Sequence, residues 1–216
     1  MNKKERFVKY LLSNGVNLKF KMKKGSLFMR FLSFVMFWTD FKSVTTTIGR
    51  TIYLPYNADS FKDLPYETLV HEGVHAVDYS RSPLGFVLSY TFPQNLAVLS
   101  FLSLFAFVSL WYLLFLVFLG FLFVFPAPGR VRLEQRAYDA NLAIMLWRRT
   151  NIDKKSIWTW YRSKFKSNLY LRCGLGQMAE ILERFEFVYD SILLDDDKFV
   201  RIEPVVYGYL RETEKR

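Results

Sequence analysis

From Ser82 to Gly129 the chain carries no charged residue, and within that stretch Leu96 to Phe125 is almost entirely apolar. Few folds accommodate such a segment. As one continuous helix, Leu96 to Phe125 would rise roughly 45 Å, more than the roughly 30 Å of a bilayer's hydrocarbon core. A helix of a water-soluble domain normally keeps a polar face, and this one has none. The segment is therefore expected to enter a membrane, as a single helix, a re-entrant loop or a hairpin, with a fully buried element of a soluble domain as the alternative.

This segment divides the chain into three expected parts. Residues 1–82 form a basic N-terminal region with strands and a helix, 83–129 the apolar insert, and 130–216 a second helical part. The formal charge of +10 and pI near 9.6 call for an anionic partner. Composition favours a bilayer over nucleic acid, because the 22 Phe and 13 Tyr lie mostly in long apolar runs. A nucleic-acid groove would interleave single aromatics with Lys and Arg. Residues 1–30 hold nine Lys or Arg and one acid, Glu5. Glu5 to Leu12 reads as a short basic helix ended by Asn14-Gly15, either a membrane contact or a solvated tail. The N-terminus does not read as a signal peptide, since only Tyr10-Leu11-Leu12 follows the basic residues before Ser13-Asn14-Gly15. Leu27 to Trp38 is apolar but interrupted by Arg30 and Ser33, so a buried strand or helix is expected there. The one cysteine, Cys173, excludes an internal disulfide and fits a reducing compartment as a packed free thiol. Asp195-Asp196-Asp197 reads as a loop, without the ligand spacing of a calcium site.

Ser43 to Leu54, SVTTTIGRTIYL, is rich in β-branched and aromatic residues and predicts two short strands about a turn or bulge at Gly49-Arg50. A helix from about Pro65 to Tyr79 follows, with Asp63 as its expected N-cap and Ser82-Pro83 as its stop. Beyond the insert, Leu133, Ala137, Ala140, Leu142 and Ile144 mark a helix over Arg130 to Arg149. Another is expected from about Gln177 to Tyr189.

The first of these helices carries His71-Glu72-Gly73-Val74-His75, an HExxH motif holding the chain's only two histidines. Residues four apart share one helix face, so both imidazoles can point at one tetrahedral ion. Glu72, beside the first histidine, is placed to take a proton from water activated by that ion. A His₂Glu catalytic zinc site takes its third ligand from a glutamate on a second helix. Glu134, in RLEQRAYDANLA, is the expected third ligand. Asp139, nearly on the same face, and Asp78, three residues after His75, can each accept a hydrogen bond from a ligand imidazole. Tyr138 can donate to an oxyanion. For these last three, simple helix packing is the alternative.

HEGVH followed by a distal Glu in RLEQRAYDA resembles the gluzincin group of zinc metallopeptidases. With an apolar insert between the two motifs, it is similar to the membrane-embedded CAAX-prenyl-protease and heat-shock-protease family. It also resembles small predicted metallopeptidases of bacteria and their phages, in which a strand like IGRTIYLP precedes the motif and an E-x-x-A-Y helix follows. The resemblance covers roughly Thr45 to Leu146 and implies zinc ligands at His71, His75 and Glu134 with Glu72 as the base. The membrane family places an Asp four residues after the ligand Glu; here Tyr138 stands at that position and Asp139 one further.

A topological condition follows. If the insert crossed a bilayer once, His75 and Glu134 would lie on opposite sides and share no ion. Residues 84 to 125 are long enough for two spans of roughly 20 residues, turning near Ser103 to Ser109. Arg81 on one flank and Arg130, Arg132 and Arg136 on the other place both ends in the cytoplasm. The expected protein is an α+β, mostly helical, zincin-like domain with a small sheet and an inserted membrane segment. It would bind membrane lipid through residues 84–125 and hydrolyse a peptide or protein substrate with zinc on the cytoplasmic side. Two alternatives are a non-enzymatic membrane protein with a structural or vestigial zinc site, and a basic binder of anionic lipid or nucleic acid.

Overall fold

The computed structural model of the protein describes residues 1–35, 40–122, 127–148, 153–165, 175–194 and 204–214; Met36 to Trp38, Cys173 and Asp195-Asp196-Asp197 lie outside the described residues. What is described is mostly helical with one three-stranded sheet, an α+β arrangement. Helix α1, Lys3–Ser13, opens on a capping box between Asn2 and Glu5 and stops at Asn14-Gly15, where Gly15 takes φ +80°. It is docked on the body of the protein, with Phe7 and Leu11 fully buried.

Strand β1, Lys19–Met22, runs parallel to β3, Thr51–Leu54, and β2, Thr46–Ile48, pairs antiparallel with β3, giving the order β1-β3-β2. The β2–β3 hairpin turns at Gly49-Arg50 as its sequence predicts. Gly49 is required there twice over: its φ is +63°, and a Cβ would meet the Tyr79 ring at 3.3 Å. Between β1 and β2 lies α2, Leu27–Val35. It is a helix, yet only one side is buried, at Met29 and Ser33; Leu27, Phe28, Phe31 and Phe34 face outward. The expectation of a buried element therefore holds for that inner side alone.

The motif helix α3, Tyr66–Arg81, starts directly after Pro65 and stops at Ser82. Asp63 does not cap it. Its carboxylate instead accepts from the backbone N–H groups of Asp59 and Ser60, at 2.9 and 2.8 Å, closing the short turn at Phe61–Asp63. A short polar side chain readily serves its own turn in this way before it can reach the next helix. Pro83 then starts α4, Pro83–Thr91.

The apolar insert is not one straight helix. After α4 the chain bends by 75° and continues as two 3₁₀ segments, Gln94–Phe107 and Leu110–Leu122. These fold back on each other about Val108-Ser109, within the turn region expected from sequence, and Phe105 packs against Tyr112 with ring centroids 6.0 Å apart. Among the described residues no single helix is long and apolar enough to cross a membrane. The returning chain enters α5, Pro128–Arg148, followed by α6, Lys154–Phe165, α7, Leu175–Leu193, and α8, Pro204–Glu214.

One hydrophobic core draws on both flanks of the insert, from Phe7 and Leu11 through Leu69, Val70 and Ala140 to Phe185 and Leu210. Helices α3 and α5 sit at its centre. Ala137, Ala140 and Ala143 on α5 have no exposed surface, and such small side chains let two helix backbones lie close. The x position of HExxH next to the glutamate has the same use. A Cβ on Gly73 would lie 2.9 Å from the Phe7 ring, so the glycine is what lets α1 close on α3.

Candidate metal centre

The two histidines project from the buried side of α3, and Glu134 projects from α5 against them. His71 Nε2 lies 3.1 Å from Glu134 Oε2, His75 Nε2 lies 3.5 Å from that same oxygen, and the two Nε2 atoms are 3.2 Å apart. A tetrahedral zinc with ligand distances near 2.0–2.1 Å needs its donors about 3.3–3.4 Å apart. The three donors already stand at that spacing, and together they form a buried group that can hold a metal ion. Two nitrogens and a carboxylate oxygen are a borderline donor set that suits zinc, though the same set serves other divalent ions.

The electrostatics show what such a group does without an ion. Burial alone would disfavour a charged His75, but Glu134 beside it outweighs that, and the imidazole is pushed up to about 9. Glu134 is likewise opposed by burial, yet the two histidines hold it well below the ordinary carboxylate range. The metal-free cluster thus keeps a proton among its three donors at neutral pH.

Glu72 occupies the turn between the ligands and is buried. Its Oε2 accepts a 2.6 Å hydrogen bond from Thr47 Oγ1, in the edge strand β2. That bond leaves Oε1 of the same carboxylate for other partners. The Thr-rich strand was legible in the sequence, but nothing in its spacing pointed to this contact.

Tyr90 was not among the residues the sequence singled out. It stands on α4, at the start of the apolar insert, and its hydroxyl donates to Glu134 Oε1 at 2.7 Å. One carboxylate oxygen is thereby held by Tyr90 while the other faces the histidines. Phe86, one turn earlier, stacks on Tyr90 at 5.5 Å, and both rings approach His75 at 6.1 Å. The far end of the insert closes on the same place. Arg130 Nε donates to the Tyr90 carbonyl at 3.1 Å, and its guanidinium lies 4.9 Å from the Tyr90 ring. A Cβ on Gly129 would fall 2.2 Å from the Ser89 carbonyl, so that approach requires glycine. The insert therefore begins and ends beside the metal cluster. Nothing local marked Tyr90, which stands between two other hydroxyl residues, Ser89 and Thr91.

The other predicted neighbours have different partners. Asp139 is fully buried and accepts from Tyr161 at 2.7 Å, while Arg184 pairs with it at 2.6 Å. Asp78 pairs with Arg136 at 2.9 Å, tying α3 to α5 one turn beyond His75. Neither accepts a hydrogen bond from a ligand imidazole; among the described residues the Nδ1 atoms of His71 and His75 are buried with no hydrogen-bond partner. Tyr138 lays its ring against His71, with centroids 4.5 Å apart.

Comparison of the chain with known protein families, with curated proteins and with solved structures returns no match.

Proposed function

We propose that the protein is a membrane-associated, zinc-dependent metallopeptidase. The observation that carries this reading is the triangle of His71, His75 and Glu134 donors at tetrahedral spacing, with Glu72 in the turn between the histidines. Zinc bound there would polarise the scissile carbonyl and acidify a water at its open position. The chain supplies the rest. Glu72 accepts the proton of the attacking water at Oε1, since Oε2 is engaged by Thr47, and passes it to the leaving amine. Tyr90 and Thr47 hold the two carboxylates in place before substrate arrives.

The membrane part of the reading rests on the folded-back insert. At the rise of a 3₁₀ helix, about 2.0 Å per residue, Gln94–Phe107 would extend about 28 Å, close to the hydrocarbon thickness of a bilayer. Phe101, Leu104, Leu110, Leu114 and Val117 are exposed. Trp111 and Tyr112 stand at the turn, where interfacial aromatics belong, and Arg81, Arg130, Arg132 and Arg136 gather at the neck. The hairpin then spans, and the zinc site stays on the cytoplasmic side.

One observation favours a second reading, a zinc that only staples the fold: His71, His75 and Glu134 are just 9 %, 5 % and 2 % exposed. Glu72→Gln separates the two. In a peptidase this variant keeps its zinc, measured by mass spectrometry, and loses hydrolysis of quenched fluorogenic peptides by at least about 100-fold. Wild-type hydrolysis surviving in Glu72→Gln would sink the mechanism.

A further inference from the structure

Helix α2 presents a feature that the metal centre and the hairpin do not use. Leu27, Phe28, Phe31 and Phe34 fall within about 120° of arc at 100° per residue, and all are exposed, Leu27 at 80 % and Phe34 at 77 %. Met29 and Ser33 occupy the opposite, buried side. Arg30 flanks the apolar stripe, and Lys19 and Lys21 are exposed on the neighbouring strand β1. No acidic residue occurs from Arg6 to Thr39. Of the cations there, Lys23 is buried on the Phe41 and Val44 carbonyls and Lys24 pairs with Asp59 at 2.9 Å, which leaves Lys19, Lys21 and Arg30 as the exposed cations of β1 and α2. Four large apolar side chains turned to water on nine residues are a poor use of a soluble surface.

We propose that α2 is a second membrane contact, lying flat in the headgroup region of an anionic bilayer. At roughly 13 Å it is far too short to span, so its apolar stripe can only enter the interface. Arg30, Lys19 and Lys21 supply the complementary charge for an anionic surface. A one-sided apolar and aromatic stripe with cations beside it is the form that interfacial helices take. The assignment rests on the hairpin reading above, which already holds the body of the protein against a bilayer. With α2 engaged as well, the body is fixed in tilt relative to the membrane, because two points of contact remove the freedom that one leaves.

The test uses the full chain with Cys173→Ser, reconstituted in phosphatidylcholine vesicles with and without phosphatidylglycerol. A single nitroxide label is placed at Phe31→Cys, at Leu104→Cys in the hairpin, or at Leu12→Cys on the exposed side of α1. Power-saturation resonance then reads accessibility to oxygen, which concentrates in lipid, against a water-soluble nickel chelate. The expected result is a several-fold higher oxygen-to-nickel ratio at 31 than at 12, falling toward the value at 12 when phosphatidylglycerol is omitted. A label at Phe28→Cys should repeat the pattern and guards against local misfolding at 31. A lipid-exposed label at 104 with a water-exposed label at 31 overturns this inference and leaves the hairpin standing. A water-exposed label at 104 removes the hairpin reading itself. A label at 31 shielded from both reagents, with spin–spin broadening, means that a second copy covers the stripe, and also overturns the proposal.

Discussion

At the scale of single residues, Tyr90 and His75 carry the sharpest consequences. Tyr90 holds Glu134 Oε1 at 2.7 Å, which fixes the rotation of the carboxylate and aims Oε2 at the histidines. Partners of metal ligands typically change affinity by about 10- to 100-fold when removed. Tyr90→Phe, which keeps the ring stacked on Phe86 and deletes only the hydroxyl, should weaken zinc by that factor in competition with a chromophoric chelator. Unchanged affinity would show that the fold alone positions Glu134. His75 governs the pH dependence. Burial disfavours its charge, but Glu134 raises it to about 9, so below that pH the metal-free site holds a proton that an incoming ion must displace. Apparent zinc affinity should therefore rise with pH and level off above about 9. About one proton should be released from the cluster per ion at pH 7, as titration calorimetry in buffers of different ionisation enthalpy would read. The histidines, Glu72 and Glu134 could be singled out in the sequence because HExxH fixes a spacing and a helix fixes what that spacing faces. Tyr90 and Thr47 could not, since their contacts join positions 44 and 25 residues apart that only tertiary packing brings together.

Between elements, glycine positions decide how closely helices approach. Gly73 sits inside a helix, where alanine would ordinarily be favoured by up to about 1 kcal/mol. Here the added methyl would meet the fully buried Phe7 ring at 2.9 Å, and overpacking of this kind costs about 1–3 kcal/mol. The clash should win, so Gly73→Ala is expected to lower the melting temperature; a rise would mean that α1 is not seated on α3 as described. The ends of α3 and the β2–β3 hairpin were legible because Pro65, Ser82-Pro83 and Gly49 act through local backbone geometry. The parallel partner β1, KFKM, was not, because its four residues gain their pairing from β3 across a long connection. The apolar run and its turn near Ser103 to Ser109 were visible, but the 75° bend after α4 and the 3₁₀ form of the two segments were not. Hydrophobicity reports where a segment prefers to be and says little about where it bends.

Across the whole molecule, the chain is closed on itself at two places. Arg148 on α5 pairs with Glu67 on α3 and with Glu214 at the end of α8, each at 2.8 Å, and Lys3 on α1 pairs with Glu214 as well. At the other place the two ends of the insert meet, Gly129 on Ser89 and Arg130 on Tyr90, beside the metal cluster. The sequence required only that the insert return if Glu134 is to share an ion with His75. The structure meets that condition within the distance of a hydrogen bond. On the proposed membrane reading, the folded-back insert carries the metal centre at its neck.

All of this depends on His71, His75 and Glu134 holding one zinc ion. Metal content by mass spectrometry, on detergent-purified wild type beside Glu134→Ala, tests that most directly. The account predicts about one zinc per wild-type chain, lost or much weakened in the variant while the helical circular-dichroism signal is kept. Wild-type protein that is well folded yet takes up no zinc would contradict it and leave a membrane-binding protein whose HEGVH sequence is a coincidence.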